Sequence, residues 1–118
     1  MNFNVKDAGN IAIVELSGRL DMSNGNKLKE VVKEMLQTGK SQIHVNLAAV
    51  DFVNSSGLGA LVSIMKEIRL HRGRLTMSDL VEYVREIFDI TQLSHIFEIY
   101  STEREALNSY EVGVGGKS

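Results

Sequence analysis

The sequence predicts an α/β domain: a mixed sheet of about five strands with helices packed on one face, in the order ββαβαβαβα. Three observations lead there. Short segments alternate between apolar and polar residues, as strands with one buried face do. Between them lie longer segments with apolar residues at helical spacing. Strand–helix–strand connections in that order imply crossovers and some parallel pairing. A sheet covered on both faces would instead show continuous Val/Ile/Leu strands, so the alternation argues for helices on one side.

The first two strands are expected over Phe3 to Lys6 and Ile11 to Ser17, with Ala8-Gly9-Asn10 as the turn; the chain has no proline, so its turns depend on Gly and Asn. Between Asn24 and Thr38, Leu28, Val31, Val32, Met35 and Leu36 form one apolar stripe, and Gly39 is the natural stop. In Gln42 to Leu47, the residues Ile43, Val45 and Leu47 share one face, and Gln42, His44 and Asn46 share the polar one. A second helix carries Leu58, Leu61, Val62, Met65 and Ile68 and ends near Gly73. The fourth strand is Arg74 to Ser78 and the fifth Ile96 to Tyr100. Asp79 with Glu82, and Thr102 with Glu105, have capping-box spacing and start two further short helices.

At 118 residues the chain reads as a single domain over 1–110, followed by a Gly-rich segment, 111–118, expected to be flexible. Its 43% hydrophobic and 24% charged content is that of an ordinary globule. Zero cysteines remove disulfides and thiolate metal sites, and a net charge of −2 argues against direct nucleic-acid binding. The longest early apolar run, Ile11 to Val14, is too short for a signal or membrane helix, so a cytoplasmic protein without membrane insertion is expected. His44, His71 and His95 form no ligand constellation, so no metal is expected, and structural roles are. No dinucleotide fingerprint or P-loop is complete, and Gly-x-Ser-x-Gly is absent around Ser55 and Ser56. No cofactor is implied, and an enzyme is not expected.

The most informative stretch is Val50-Asp51-Phe52-Val53-Asn54-Ser55-Ser56-Gly57-Leu58-Gly59, an apolar approach ending in two hydroxyls and two glycines just before a helix. Asn54, Ser55 and Ser56 are ordinary N-cap types, and the glycines suit close backbone packing. An exposed serine at a helix start is also a place where an esterified phosphate is stabilised, by unpaired N–H groups and the peptide dipole. Spacing leaves both readings open.

Asn54-Ser55-Ser56-Gly57-Leu58-Gly59 resembles the Asp-Ser-Ser-Gly-Leu-Gly signature of bacterial anti-sigma factor antagonists, small proteins built on the STAS domain. Leu16-Ser17-Gly18-Arg19-Leu20-Asp21 resembles the family's Gly-x-Leu/Ile-Asp turn, and Ile43 to Leu47 its central strand. Val84 to Leu93 is similar to its later helix and turn, so the resemblance spans roughly residues 3–109. It implies a STAS fold and a partner-switching role: the unphosphorylated form binds a serine-kinase anti-sigma factor and releases the sigma factor. Ser56 matches the phosphorylated serine, and phosphate there switches binding off. Asp21 matches the family's loop Asp that contacts the partner and Ser55 a contact serine; Met22, Ser23, Asn24, Asn54 and Gly57 are expected to share that partner-binding face with them, and a serine phosphatase is a further expected partner. Asn54 departs from the family's more usual Asp, which changes the charge presented to the kinase. The alternative is a STAS subunit of another assembly, such as a stress-sensing complex or a lipid-transport ATPase complex.

Overall fold

The computed structural model describes the backbone of residues 2–115 and the side chains of residues 2–110. The elements are β1 (Asn2–Ala8), β2 (Ile11–Leu20), α1 (Met22–Gln37), β3 (Gln42–Val53), α2 (Ser55–Leu70), β4 (Arg74–Ser78), α3 (Glu82–Ile90), β5 (Glu98–Tyr100) and α4 (Glu103–Gly115). The order ββαβαβαβα is the expected one. The strands lie in spatial order β1-β2-β3-β4-β5. β1 and β2 form an antiparallel hairpin, and the other pairings are parallel.

The core lies on one side of the sheet. Val14, Val45 and Leu47 from the strands meet Leu28 and Val32 of α1, Leu61 and Ile68 of α2, and Val84 and Phe88 of α3, all essentially without exposed surface. Phe88 and Phe97 pack edge to face, with ring centroids 5.8 Å apart. Three helices thus take the expected single face. The fourth departs from it. His44 and Thr76 are register partners pointing away from the Val45 side, and Tyr110 of α4 lies against Thr76 with its hydroxyl 3.0 Å away. Helix α4 therefore covers part of the second face, where buried hydroxyls and an imidazole can be hydrogen-bonded rather than solvated. His44, expected on an open polar face, is fully buried there.

Strand β3 runs six residues past its expected end at Leu47, to Val53. The pairing of β2 with β3 slips in register after Glu15 and again after Gly18, so the strands stay joined although strict alternation is lost. Gly18 accommodates this at φ 106°. The Asp79–Glu82 capping box does not form. Val81 is the N-cap of α3 without a side-chain hydrogen bond, while Asp79 Oδ2 accepts from Ser78 Oγ at 2.7 Å and Asn46 Nδ2 at 3.3 Å. Thr102 does cap α4, accepting from the Glu105 N–H at 3.1 Å. β5 begins only at Glu98, because Leu93–His95 form a 3-10 turn and Ile96 is still in the right-handed helical region. The boundary proposed at 110/111 falls inside the backbone of α4, and residues 116–118 of the Gly-rich segment lie outside the described residues.

Candidate partner-binding surface

Parallel pairing brings the two motif segments together. Leu20 and Val53 are register partners at the ends of β2 and β3, and one residue after each, Asp21 and Asn54, a helix begins. The two N-caps have the same extended backbone and the same bond. Asp21 Oδ1 accepts from the Asn24 N–H at 3.0 Å, and Asn54 Oδ1 accepts from the Gly57 N–H at 2.9 Å. Side-chain capping satisfies one first-turn donor in each helix. The Ser55 and Ser56 N–H groups remain at the start of α2, where no carbonyl of their own helix is in reach.

Two glycines allow this closeness. A Cβ on Gly57 would run into the Leu20 carbonyl oxygen and stand 2.7 Å from its carbonyl carbon. A Cβ on Gly25 would meet that of Ala60 at 2.6 Å, so the first turn of α1 touches the second turn of α2. The segments are tied further by the Asn54 N–H donating to Leu20 O at 3.3 Å and Asn24 Nδ2 donating to Arg19 O at 2.8 Å. Beyond the bulge, the Arg19 guanidinium stacks over Phe52, 3.8 Å from the ring centroid.

The exposed residues of this end are Met22, 62% accessible, with Ser23 and Ser55. Asp21, Asn24, Asn54 and Ser56 are half-buried, and Gly57 is buried under the contact it permits. Ser56 is the second residue of α2, on a helix with no acidic side chain in its first turn and Arg69 in its last. The site therefore offers a hydroxyl, two N–H groups without a partner among the described residues and the positive end of a dipole, beside a carboxylate-capped neighbour. Gly25 is the contributor that sequence reading missed; a glycine three residues before Leu28, in line with the apolar stripe, was the available signal.

The histidines lie apart. His71 closes α2 with Nδ1 2.9 Å from the Glu67 carbonyl, His95 is exposed in the 3-10 turn, and His44 is bound by two hydroxyls. Among the described residues no three His, Cys, Asp or Glu side chains converge, and no helix is long and apolar enough to cross a membrane.

The STAS domain model matches residues 2–106, and the chain belongs to that family. It is 34% identical over 86 residues to the anti-sigma-B factor antagonist of Staphylococcus epidermidis, covering 73% of this chain and 80% of that one. A crystal structure of a candidate anti-sigma factor antagonist from Thermotoga maritima superposes with a TM-score of 0.84 at 29% identity, covering 91% of this chain and 92% of that one. The anti-sigma factor antagonist SpoIIAA has the same fold. Its unphosphorylated form gives a TM-score of 0.73 at 21% identity, with 93% and 98% of the two chains covered. Its phosphorylated form, from Bacillus, gives 0.71 at 22% identity, with 92% and 99% covered.

Proposed function

We propose that this chain is an anti-sigma factor antagonist in a partner-switching pathway, a binding module rather than an enzyme. Its unphosphorylated form captures a serine-kinase anti-sigma factor and so releases the sigma factor. Phosphate on Ser56 reverses the capture, and a serine phosphatase restores it. ATP and the catalytic groups belong to the kinase.

The observation that carries the reading is the pairing of the two capped helix starts. Ser56 stands at the N-terminus of α2, next to the half-exposed Asp21 cap of α1, on the end of the sheet where Met22, Ser23 and Ser55 are open to a partner. A phosphoserine carries about −1.5 to −2 charges at neutral pH. The dipole and free N–H groups of α2 accept that charge without disturbing the fold. Its effect falls on whatever docks against Asp21, Met22, Ser23, Asn24, Asn54 and Ser55, by repelling an acidic surface or wetting an apolar one. Gly57 contributes by holding the two segments together. With Asn54 as the cap, the serines follow a neutral side chain, so of the two caps only Asp21 presents a carboxylate to the kinase.

The test is capture of a serine-kinase anti-sigma factor from the same organism by wild type, Ser56→Ala and Ser56→Asp. Wild type and Ser56→Ala should bind and Ser56→Asp should not. Equal capture by all three would overturn the switch.

A further inference from the structure

On the face of the sheet turned away from the core, His44, Thr76 and Ser78 are each 0% exposed. His44 Nδ1 lies 2.8 Å from Thr76 Oγ1, and Nε2 lies 2.8 Å from Ser78 Oγ. Both contacts lead on to α4. Through Thr76 the line continues to Tyr110 Oη at 3.0 Å, and that hydroxyl donates to the Ile43 carbonyl at 2.8 Å. Through Ser78 it continues to Asp79 Oδ2, then to Asn46 Nδ2, which also donates to Glu103 Oε1 at 2.9 Å. One imidazole joins two anchor points on α4, Glu103 and Tyr110, which are two turns apart.

The hydrogens in this network can be assigned from chemistry. A carboxylate only accepts, so the Ser78 hydroxyl hydrogen goes to Asp79, and Ser78 can only accept from the ring. Nε2 therefore carries the hydrogen. In the neutral ring Nδ1 is bare and takes the Thr76 hydroxyl hydrogen, while Tyr110 has one hydrogen to share among Ile43 O, Thr76 and the more distant Arg74 O at 3.4 Å. A protonated ring would donate from both nitrogens and supply the missing hydrogen. It would also place a full charge in a buried site where, among the described residues, no carboxylate touches the ring, which is the costlier outcome.

The surrounding charges do not reverse that. On β2 the register neighbour is apolar Ile13, and Glu15 beyond it is held by Lys6 at 3.0 Å and Asn4 at 2.7 Å. On β4 Asp79 is one hydroxyl away; on α4 Glu103 is beyond Asn46 and 3.6 Å from Lys6; on β5 Glu98 is bound by Arg74, whose guanidinium lies over the Tyr110 ring at 4.4 Å. Burial pushes His44 down to about 4, with Glu103 and Asp79 pulling only partly the other way. Burial pushes the Tyr110 phenol up to about 12, so it stays protonated throughout the acid range.

We infer that His44 is an acid-operated latch: its neutral ring, with the hydrogen on Nε2, holds α4 on the sheet, and proton uptake at His44 loosens α4 while the α1–α3 side stays packed. The docked state prefers the neutral ring and the released state binds the proton at the ordinary value of 6.5. Docking is therefore complete above that value and weakens as pH falls toward 4, by up to about tenfold per pH unit.

Amide hydrogen exchange in α4, corrected for intrinsic rates and compared with α2, tests this between pH 7 and 4.5 in wild type and His44→Gln. The opening equilibrium of α4 should rise by up to tenfold per unit below about pH 6 in wild type, with α2 unaffected, and the slope should vanish in the variant. Ring nitrogen shifts of wild-type His44 give a readout that does not depend on the variant folding: they should show the Nε2–H tautomer with no titration above pH 5. A ring titrating near 6.5, an Nδ1–H tautomer, or the same α4 slope in His44→Gln would each overturn the latch.

Discussion

The closeness of the two helix starts can be tested with one substitution made at two positions. Gly57 and Gly59 both lie in the first turns of α2, two residues apart. A methyl group on Gly57 has nowhere to go, because the obstruction is the Leu20 backbone rather than a side chain that could swing away, and the Leu20 Cγ is a further 3.1 Å neighbour. To admit it, α2 must lift from the end of β2. Overpacking of this kind costs roughly 1–3 kcal/mol. Lifting the turn also strains the Gly57 N–H bond to Asn54, a cap worth about 1 kcal/mol. Set against the about 0.5–1 kcal/mol that alanine gains over glycine in a helix, Gly57→Ala should therefore lose roughly 1–3.5 kcal/mol. Gly59 has no heavy atom within 4 Å of the added methyl, so Gly59→Ala meets only the helix-propensity term and should gain about 0.5–1 kcal/mol. Urea unfolding followed by circular dichroism, at matched m-values, reads both changes. The opposite signs are the prediction. A neutral or stabilising Gly57→Ala would mean that the Asp21 and Asn54 segments are not in contact, and the composite surface would lose its basis.

Leu61, 0% exposed beneath the core strands, should lose about 2–5 kcal/mol on truncation to Ala, seen as a lowered urea midpoint; a near-neutral result would place α2 off the sheet. Ser56→Asp should remain within about ±1 kcal/mol of wild type, because the start of α2 accepts negative charge, while capture of the kinase is lost. A large stability loss with binding unchanged would make the site a cap and nothing more. Asp21→Ala and Ser56→Asp should each weaken kinase binding, and together non-additively, in a double-mutant cycle read by calorimetry. Lys40, at the other end of β3 and 3.3 Å from Asp7 in an exposed ion pair, is the control: Lys40→Glu should cost less than about 1 kcal/mol and leave binding unchanged.

What could be read in advance was what neighbours in the chain decide. β4 runs from Arg74 to Ser78 as expected, since five alternating residues between Gly73 and Asp79 admit little else. Helix α1 stops at Gln37 because Gly39 takes φ 87°, and α2 buries Leu58, Leu61, Met65 and Ile68 as their spacing requires. The second half of β3 was illegible. Its buried residues Leu47, Val50 and Val53 come at every third position, a rhythm produced by slipped pairing with β2 and invisible in either strand alone. The false capping box failed for a similar reason: Asp79 has the right spacing to Glu82, but its carboxylate is taken by Ser78 and by Asn46 from another strand.

The candidate site divides along the same line. The residue types in Asn54-Ser55-Ser56-Gly57 determine a capped helix start with a serine in its first turn, because capping is a bond between residues three apart. Asp21 determines the other start by the same local bond. Parallel pairing of two strands that each lead into a helix already implies that these starts emerge side by side; how tightly they close was decided only by the tertiary structure, through the register pairing of Leu20 with Val53 and the contact of Gly57 with the Leu20 backbone. The fate of His44 was decided there too. Its polar neighbours marked an open face, and only the docking of α4, through Tyr110 and Glu103, removed that face from water. Local hydrogen bonds and periodicity are carried by adjacent residues, whereas burial depends on which distant segment arrives to exclude the solvent.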